Sequence, residues 1–160
     1  RTWVLKCPHH SPQVDSLLQA FPDARIILMH RPIADVIASV ARLTEAFLGM
    51  VEGPGLDMTA RAQMIVENVD LTLRRLLAVR AANPGRFLDI TMDRFVADPL
   101  ATAEQVHAHF GLPLAPEAEA AMAGWRAAHA HDGPIRPSNA PLPYSLSRDA
   151  ICERFSYYQG

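Results

Sequence analysis

Short apolar runs alternate with longer helical repeats along the chain. Three runs, at residues 3–5, 25–30 and 86–90, are too short for helices, and we interpret them as buried parallel strands. The segments between and after them carry apolar residues at helical spacing. This order of strands and helices predicts right-handed parallel crossovers, and therefore a three-layer α/β/α fold with a parallel sheet.

Turn residues mark the ends of the predicted helices. Ser11 followed by Pro12 predicts that the first helix begins there, and Gly111 is placed to end a later one. The helix that follows Pro32 has one continuous apolar face, which we expect to be buried. That face comprises Val36, Val40, Leu43, Phe47 and Met50. Further helices are predicted at residues 57–82, 99–110, 116–129 and 147–157, the last with Ser147 as its N-cap.

Composition narrows the class of protein. The chain has 160 residues, of which 49% are hydrophobic, which is enough for a buried core. A net charge of −2 excludes the basic excess of a dedicated nucleic-acid binder. No apolar run approaches the roughly 20 residues of a membrane-spanning helix. Cys7 and Cys152 do not form a disulfide framework, so we expect a cytoplasmic protein.

The polar residues that follow the strands are the candidate chemistry. In an open parallel sheet, ligands bind beyond the carboxyl ends of the strands. Lys6, the only lysine, follows the first strand together with His9 and His10, and Arg31 follows the second. Cations at a helix start favour phosphate or sulfate. Ser39 lies eight residues after Arg31, within reach of a large ligand on that helix.

Each of these residues also has an ordinary structural interpretation. Arg31 could form an ion pair with Asp35, four residues later on the same helix. Ser39 could be a small residue that the helix tolerates. Adjacent histidines such as His9 and His10 do not converge easily on an ion, and no cysteine or carboxylate has ligand spacing, so no metal is expected.

Four segments, taken in order, resemble motifs of bacterial sulfotransferases. Trp3 to His10 is similar to their W-x-L-K-[ST]-P-x-H strand and loop. The F-P-D-A-R segment that begins at Phe21, followed by His30, Arg31 and Ser39, matches a second motif. The other two matches are Phe95 to Pro99 with His109 to Pro113, and Tyr144-Ser145-Leu146 with Glu153-Arg154-Phe155. The resemblance extends over almost the whole chain.

The resemblance implies a P-loop-like sulfotransferase fold and a reaction. In that reaction a sulfuryl group moves from 3′-phosphoadenosine 5′-phosphosulfate (PAPS) to a hydroxyl or amine of a small-molecule acceptor. Arg31 and Ser39 would hold the 3′-phosphate of the donor. Lys6 would neutralise the bridging oxygen, and His10 would accept the proton of the acceptor, with His9 as the alternative base.

Other positions depart from the family pattern. The family's adenine-facing tyrosine is replaced by Met92, which can still pack on a ring. Arg136 is the nearest cation to the family's tail, where Tyr144 and Ser145 complete the implied donor site. In the family, the 5′-phosphosulfate loop precedes the first of these motifs. We therefore expect residues 1–160 to be one partial domain, a piece of a longer protein without that loop and its strand.

Two alternatives remain open. The chain could be a fragment of a nucleotide-binding phosphotransferase, in which Lys6 and Arg31 contact the nucleotide; an upstream G-x-x-x-x-G-K-[ST] motif would favour this. It could also be an inactive remnant whose exposed sheet edge pairs with a partner, and pairing with a second copy would give a homodimer.

Overall fold

A computed structural model describes residues 3–53, 55–129 and 142–158. A 3-10 helix at Pro8–Gln13 leads into the first α-helix. The helices are α1 (Val14–Ala20), α2 (Ile33–Glu52), α3 (Thr59–Ala82), α4 (Met92–Ala97), α5 (Pro99–His109), α6 (Pro116–Ala128) and α7 (Arg148–Arg154). The strands are β1 (Ile26–His30) and β2 (Phe87–Thr91), which pair in parallel. The protein is therefore a helix-rich α/β fold with a parallel sheet, as predicted.

The chain divides into two compact units. The first takes its described residues from Arg1–Ala24, Ile33–Arg86 and Ala140–Gln159, and the second from Arg25–Pro32 and Phe87–Asn139. The first unit therefore contains the 3-10 helix, α1, α2, α3 and α7. The second contains both strands with α4, α5 and α6.

The core of the first unit lies where α2 and α3 meet and where α7 packs on α2. Ala34 and Ala62 are fully or almost fully buried there, and Phe155, just after α7, fills the space beside them. The other buried members of this cluster are Ile37, Val66, Leu146 and Ile151. Small residues on α2 and α3 let the two helices approach closely, because the distance between helix axes depends on the side chains at the contact.

The core of the second unit joins β2 to α5. Leu88 and Ile90 pack against Phe110, which ends α5. Gly111 follows with a φ of +61°, the left-handed conformation that suits glycine after a helix. Asp98 caps the start of α5, since its carboxylate accepts hydrogen bonds from two backbone N–H groups of the first turn. These local signals explain why α5 begins and ends where the sequence predicts.

The prediction of a buried strand at residues 3–5 is wrong. Trp3, Val4 and Leu5 are 85%, 90% and 68% exposed, and no regular secondary structure forms there. A strand is stabilised by the hydrogen bonds and cross-strand packing that a neighbouring strand supplies. In the described part of the chain only β1 and β2 pair, so an apolar run alone is insufficient.

The predicted buried face of α2 is wrong for three of its five residues, whereas Val36 and Val40 are partly buried. Leu43, Phe47 and Met50 are 67%, 61% and 78% exposed. The buried side of α2 instead carries Ala34, Asp35, Ile37, Ala38 and Ala41. Both faces have helical periodicity, and close packing with α3 favours the face with the smaller side chains.

Two smaller differences concern helix ends. Ser11 and Pro12 do not start a helix, because the 3-10 helix already begins at Pro8 and Pro12 lies inside it. The segment after β2, which carried no helix prediction, forms α4, and the Thr91 side chain caps it by accepting a hydrogen bond from Arg94 N. The prediction that Ser147 caps the last helix is confirmed, since its hydroxyl accepts a hydrogen bond from Ala150 N.

Candidate functional site

Arg31 lies directly beyond the carboxyl end of β1. His30, the last residue of β1, is in register with Thr91, the last residue of β2, so both strands end at the same edge of the sheet. Arg31 and Met92 are the next residues along the two strands, and the structure therefore brings these two predicted site residues to one edge. This is the edge where parallel sheets bind ligands.

The guanidinium of Arg31 is half-buried and has no hydrogen-bond or ion-pair partner among the residues that the structure describes. The ion pair with Asp35 that its sequence position suggested does not form. Asp35 is instead bound by Arg148, at 3.1 Å between Nη2 and Oδ1. Arg31 therefore retains a net positive charge at the sheet edge, as an anion-binding residue requires.

Lys6, His9 and His10 belong to the first unit. Lys6 is exposed and lies just before the 3-10 helix, which contains both histidines. The His10 amide donates to the Cys7 carbonyl at 3.2 Å, which holds the helix's first turn. The side chains of Lys6, His9 and His10 form no hydrogen bond or ion pair within residues 3–53, 55–129 and 142–158.

The 3-10 helix is held against α3 through its neighbour α1. Arg75 of α3 donates a hydrogen bond to Asp15 of α1, and this guanidinium lowers the pKa of the Asp15 carboxyl. His9 is exposed, whereas His10 is half-buried.

Ser39, Tyr144 and Ser145 also lie in the first unit. Ser39 is exposed on α2. Tyr144 and Ser145 have φ angles of +58° and +57°, a left-handed backbone that non-glycine residues rarely adopt. The Tyr144 hydroxyl donates to Glu45 of α2, and burial together with this bond raises the pKa of Tyr144. The turn is thus anchored to α2 despite its unfavourable backbone.

Arg136 lies outside the described residues, so its predicted place in the site is untested. Its role stays a prediction from the resemblance alone.

One polar pair near Arg31 was not predicted from the sequence. His30 Nε2 lies 2.7 Å from Asp89 Oδ1, and the two side chains are 11% and 31% exposed. The signal was present in the sequence, because Asp89 is the one charged residue within β2. A carboxylate inside an apolar strand indicates a specific partner, since burying an unpaired charge is costly.

Within the described residues, no group of three or more His, Cys, Asp or Glu side chains is arranged to hold a metal ion. None of the described helices combines the length and the apolar character that crossing a membrane requires.

The chain is an α/β protein with an arginine at the carboxyl edge of its parallel strands, the edge at which ligands bind in open parallel sheets. A family model described as the sulfotransferase family matches residues 1–116. The chain therefore belongs to the sulfotransferase family, which confirms the resemblance of its motifs. A search of curated proteins found no match.

Two solved structures are similar to this chain. One is the crystal structure of sulfotransferase STF1 from Mycobacterium tuberculosis H37Rv, whose sequence is 28% identical and whose TM-score is 0.78. The match covers 99% of this chain and 40% of the STF1 chain. The other is the crystal structure of sulfotransferase STF9 from Mycobacterium avium, whose sequence is 27% identical and whose TM-score is 0.80. The match covers 98% of this chain and 41% of the STF9 chain. The chain thus spans about 40% of the length of these two proteins.

Proposed function

We propose that this chain acts in sulfuryl transfer from PAPS to a hydroxyl or amine of a small-molecule acceptor. The observation that carries the proposal is the state of Arg31: a half-buried guanidinium at the carboxyl edge of the sheet that no described carboxylate neutralises. In a member of the sulfotransferase family, such a cation suits the phosphate of a nucleotide donor.

The donor is proposed to be held by several groups. Arg31 binds the 3′-phosphate, and Ser39, from its spacing along the sequence, donates its hydroxyl to the same group. Met92 packs on the adenine ring, a soft apolar contact that replaces aromatic stacking. Tyr144 and Ser145, which match the family's tail motif, contribute further contacts.

The transfer step needs charge stabilisation and one base. PAPS supplies a sulfuryl group whose sulfur–oxygen bond to the 5′-phosphate breaks as the acceptor oxygen or nitrogen bonds to sulfur. The Lys6 ammonium neutralises the negative charge that develops on the bridging oxygen. The His10 imidazole takes the proton that the acceptor loses. Neither side chain has a competing partner among the described residues, so both are available for these roles.

Calorimetric titration with adenosine 3′,5′-bisphosphate, the product of the donor, tests the proposal. We expect saturable binding, and Arg31→Ala should weaken it by about tenfold or more, because a hydrogen-bonded charge contact contributes about 1.5–3 kcal/mol. Arg25→Ala, at the other end of β1, is the matched control and should bind normally. Absence of binding by the unmodified chain, or equal losses in the two variants, would contradict the proposal.

Exposed apolar residues favour a second candidate function, association with another protein or a second copy. Trp3 and Val4 are 85% and 90% exposed, which is unusual for side chains of this size. Light scattering after size-exclusion chromatography over a range of concentrations tests this candidate. Assembly that Trp3→Ser abolishes would support it, and a monomer at every concentration would exclude self-association.

A further inference from the structure

The His30–Asp89 pair lies beside Arg31 and is not part of the functions proposed above. Its two side chains are on the same face of the sheet, because His30 is in register with Thr91 and Asp89 is two residues earlier on β2. The distance of 2.7 Å between His30 Nε2 and Asp89 Oδ1 is that of a strong hydrogen bond. The pair therefore joins the last residue of β1 to the middle residue of β2.

The position of His30 along β1 connects this pair with Arg31. A pair that only joined the strands could lie at any rung, and the earlier rungs of β1 carry Ile26, Ile27, Leu28 and Met29. The histidine of this bridge is the last residue of β1, directly before Arg31. A histidine bound to a carboxylate has its ring orientation set by that bond. The backbone from which the Arg31 side chain departs is restrained along with it.

We propose that His30 and Asp89 are positioning residues, which direct the Arg31 guanidinium toward the 3′-phosphate of the nucleotide donor. This inference rests on the proposed role of Arg31. Restraint of the strand end reduces the conformational freedom that Arg31 must lose on binding, and a preorganised guanidinium binds a phosphate more tightly and selectively. The pair would thus govern the preference for a nucleotide that carries a 3′-phosphate.

The test compares the dissociation constants of adenosine 3′,5′-bisphosphate and adenosine 5′-phosphate, which lacks the 3′-phosphate. The ratio of the dissociation constant of adenosine 5′-phosphate to that of adenosine 3′,5′-bisphosphate measures the preference for the 3′-phosphate. This ratio reports on the Arg31 contact, because effects common to both nucleotides cancel. We expect His30→Ala and Asp89→Ala to reduce this ratio by about tenfold, as expected for the loss of one well-oriented charged contact. His30→Gln, whose amide N–H can still donate to Asp89, should restore most of it.

The double variant His30→Leu/Asp89→Leu separates positioning from stability. It replaces the whole pair with apolar side chains, a change that for a buried pair is often neutral or stabilising, whereas Asp89→Leu alone would leave the His30 imidazole without this partner. We expect the unfolding temperature of this variant to equal or exceed that of the unmodified chain. We also expect the variant to lose most of its preference for the bisphosphate over the monophosphate. The matched control is His109→Ala: His109 Nε2 lies 3.1 Å from the Phe87 carbonyl at the opposite end of β2. This variant should lower stability and leave the ratio unchanged.

The outcomes are distinguishable. An unchanged ratio in the double variant and in His30→Ala, with an unmodified chain that prefers the bisphosphate, would overturn the positioning role and leave the proposed function intact. An unmodified chain that does not prefer the bisphosphate would overturn both. A loss of the preference in His109→Ala as large as that in the double variant would also overturn the positioning role, because the effect would then be general to the sheet.

Discussion

Arg148 donates a hydrogen bond to the buried carboxylate of Asp35 at 3.1 Å, although 113 positions separate the two residues along the chain. Asp35 lies in the first turn of α2 and Arg148 in the first turn of α7. The pair fastens the start of α7 to α2, and it occupies the carboxylate nearest in sequence to Arg31. One long-range contact therefore contributes to the packing of the first unit and holds the Asp35 carboxylate.

Removal of Arg148 should destabilise the first unit. The Asp35 side chain is only 8% exposed, so Arg148→Ala leaves a buried charge without this partner. We expect a loss of about 2 kcal/mol in the free energy of unfolding, measured by urea denaturation. Arg94→Ala, an exposed arginine on α4, is the control and should change stability by less than about 0.5 kcal/mol. Similar losses in the two variants would show that the pair contributes little.

Asp70 should make stability sensitive to acid. Hydrogen bonds from Tyr157 at 2.7 Å, from Arg154 and from Arg74 lower the pKa of Asp70 below its ordinary value of 3.8. A carboxyl whose pKa is lower in the folded state contributes stability above the unfolded pKa and loses it as pH falls through the folded pKa. The free energy of unfolding should therefore decrease as pH falls below about 4 to 5.

Two variants test that assignment by urea denaturation across the acid range. Asp70→Asn should be less stable at neutral pH and should flatten the acid dependence. Tyr157→Phe removes the largest cause of the lowered pKa, so its acid dependence should be intermediate. Burial of the Tyr157 hydroxyl and its hydrogen bond to Asp70 also raise the pKa of Tyr157 to about 12. An Asp70→Asn profile that keeps the full acid loss would assign the pH dependence to other groups.

The two faces of α2 should respond oppositely to truncation. Ile37 is fully buried in the first core, whereas Phe47 is 61% exposed on the face that the sequence pattern predicted to be buried. Ile37→Ala should cost about 3 kcal/mol in the free energy of unfolding, and Phe47→Ala less than about 0.5 kcal/mol. A larger loss for Phe47→Ala would restore the original prediction of the buried face.

His10 should carry the base function in sulfuryl transfer. His10→Gln is expected to lower turnover by about 10² to 10⁴, the usual contribution of a general base, with little effect on nucleotide affinity. The measurement is release of adenosine 3′,5′-bisphosphate from PAPS with a phenol, an alcohol or an amine as acceptor. His129→Gln, on a histidine bonded to the Trp125 carbonyl at the end of α6, is the control. A loss confined to His9→Gln would assign the base to His9 instead.

The candidate site could be predicted only in part, because its residues carry different kinds of signal. Arg31 was identifiable from its place after an apolar strand and before a helix, a local pattern that sets which edge of the sheet it occupies. The absence of an ion pair between Arg31 and Asp35 could not be predicted, because the residue that binds Asp35, Arg148, comes from a distant segment of the sequence. The His30–Asp89 pair depends in the same way on the register of two strands that are far apart in sequence.

Elements whose ends have local chemistry could be predicted from the sequence alone. α5 begins at Pro99 and ends before Gly111, and α7 begins after the Ser147 cap, as predicted, because the bonds at these ends join residues a few positions apart. The buried face of α2 and the absence of a strand at residues 3–5 followed from tertiary contacts instead. Those outcomes depend on the partner that packs or pairs with each segment, and neither helical period nor apolar character contains that information.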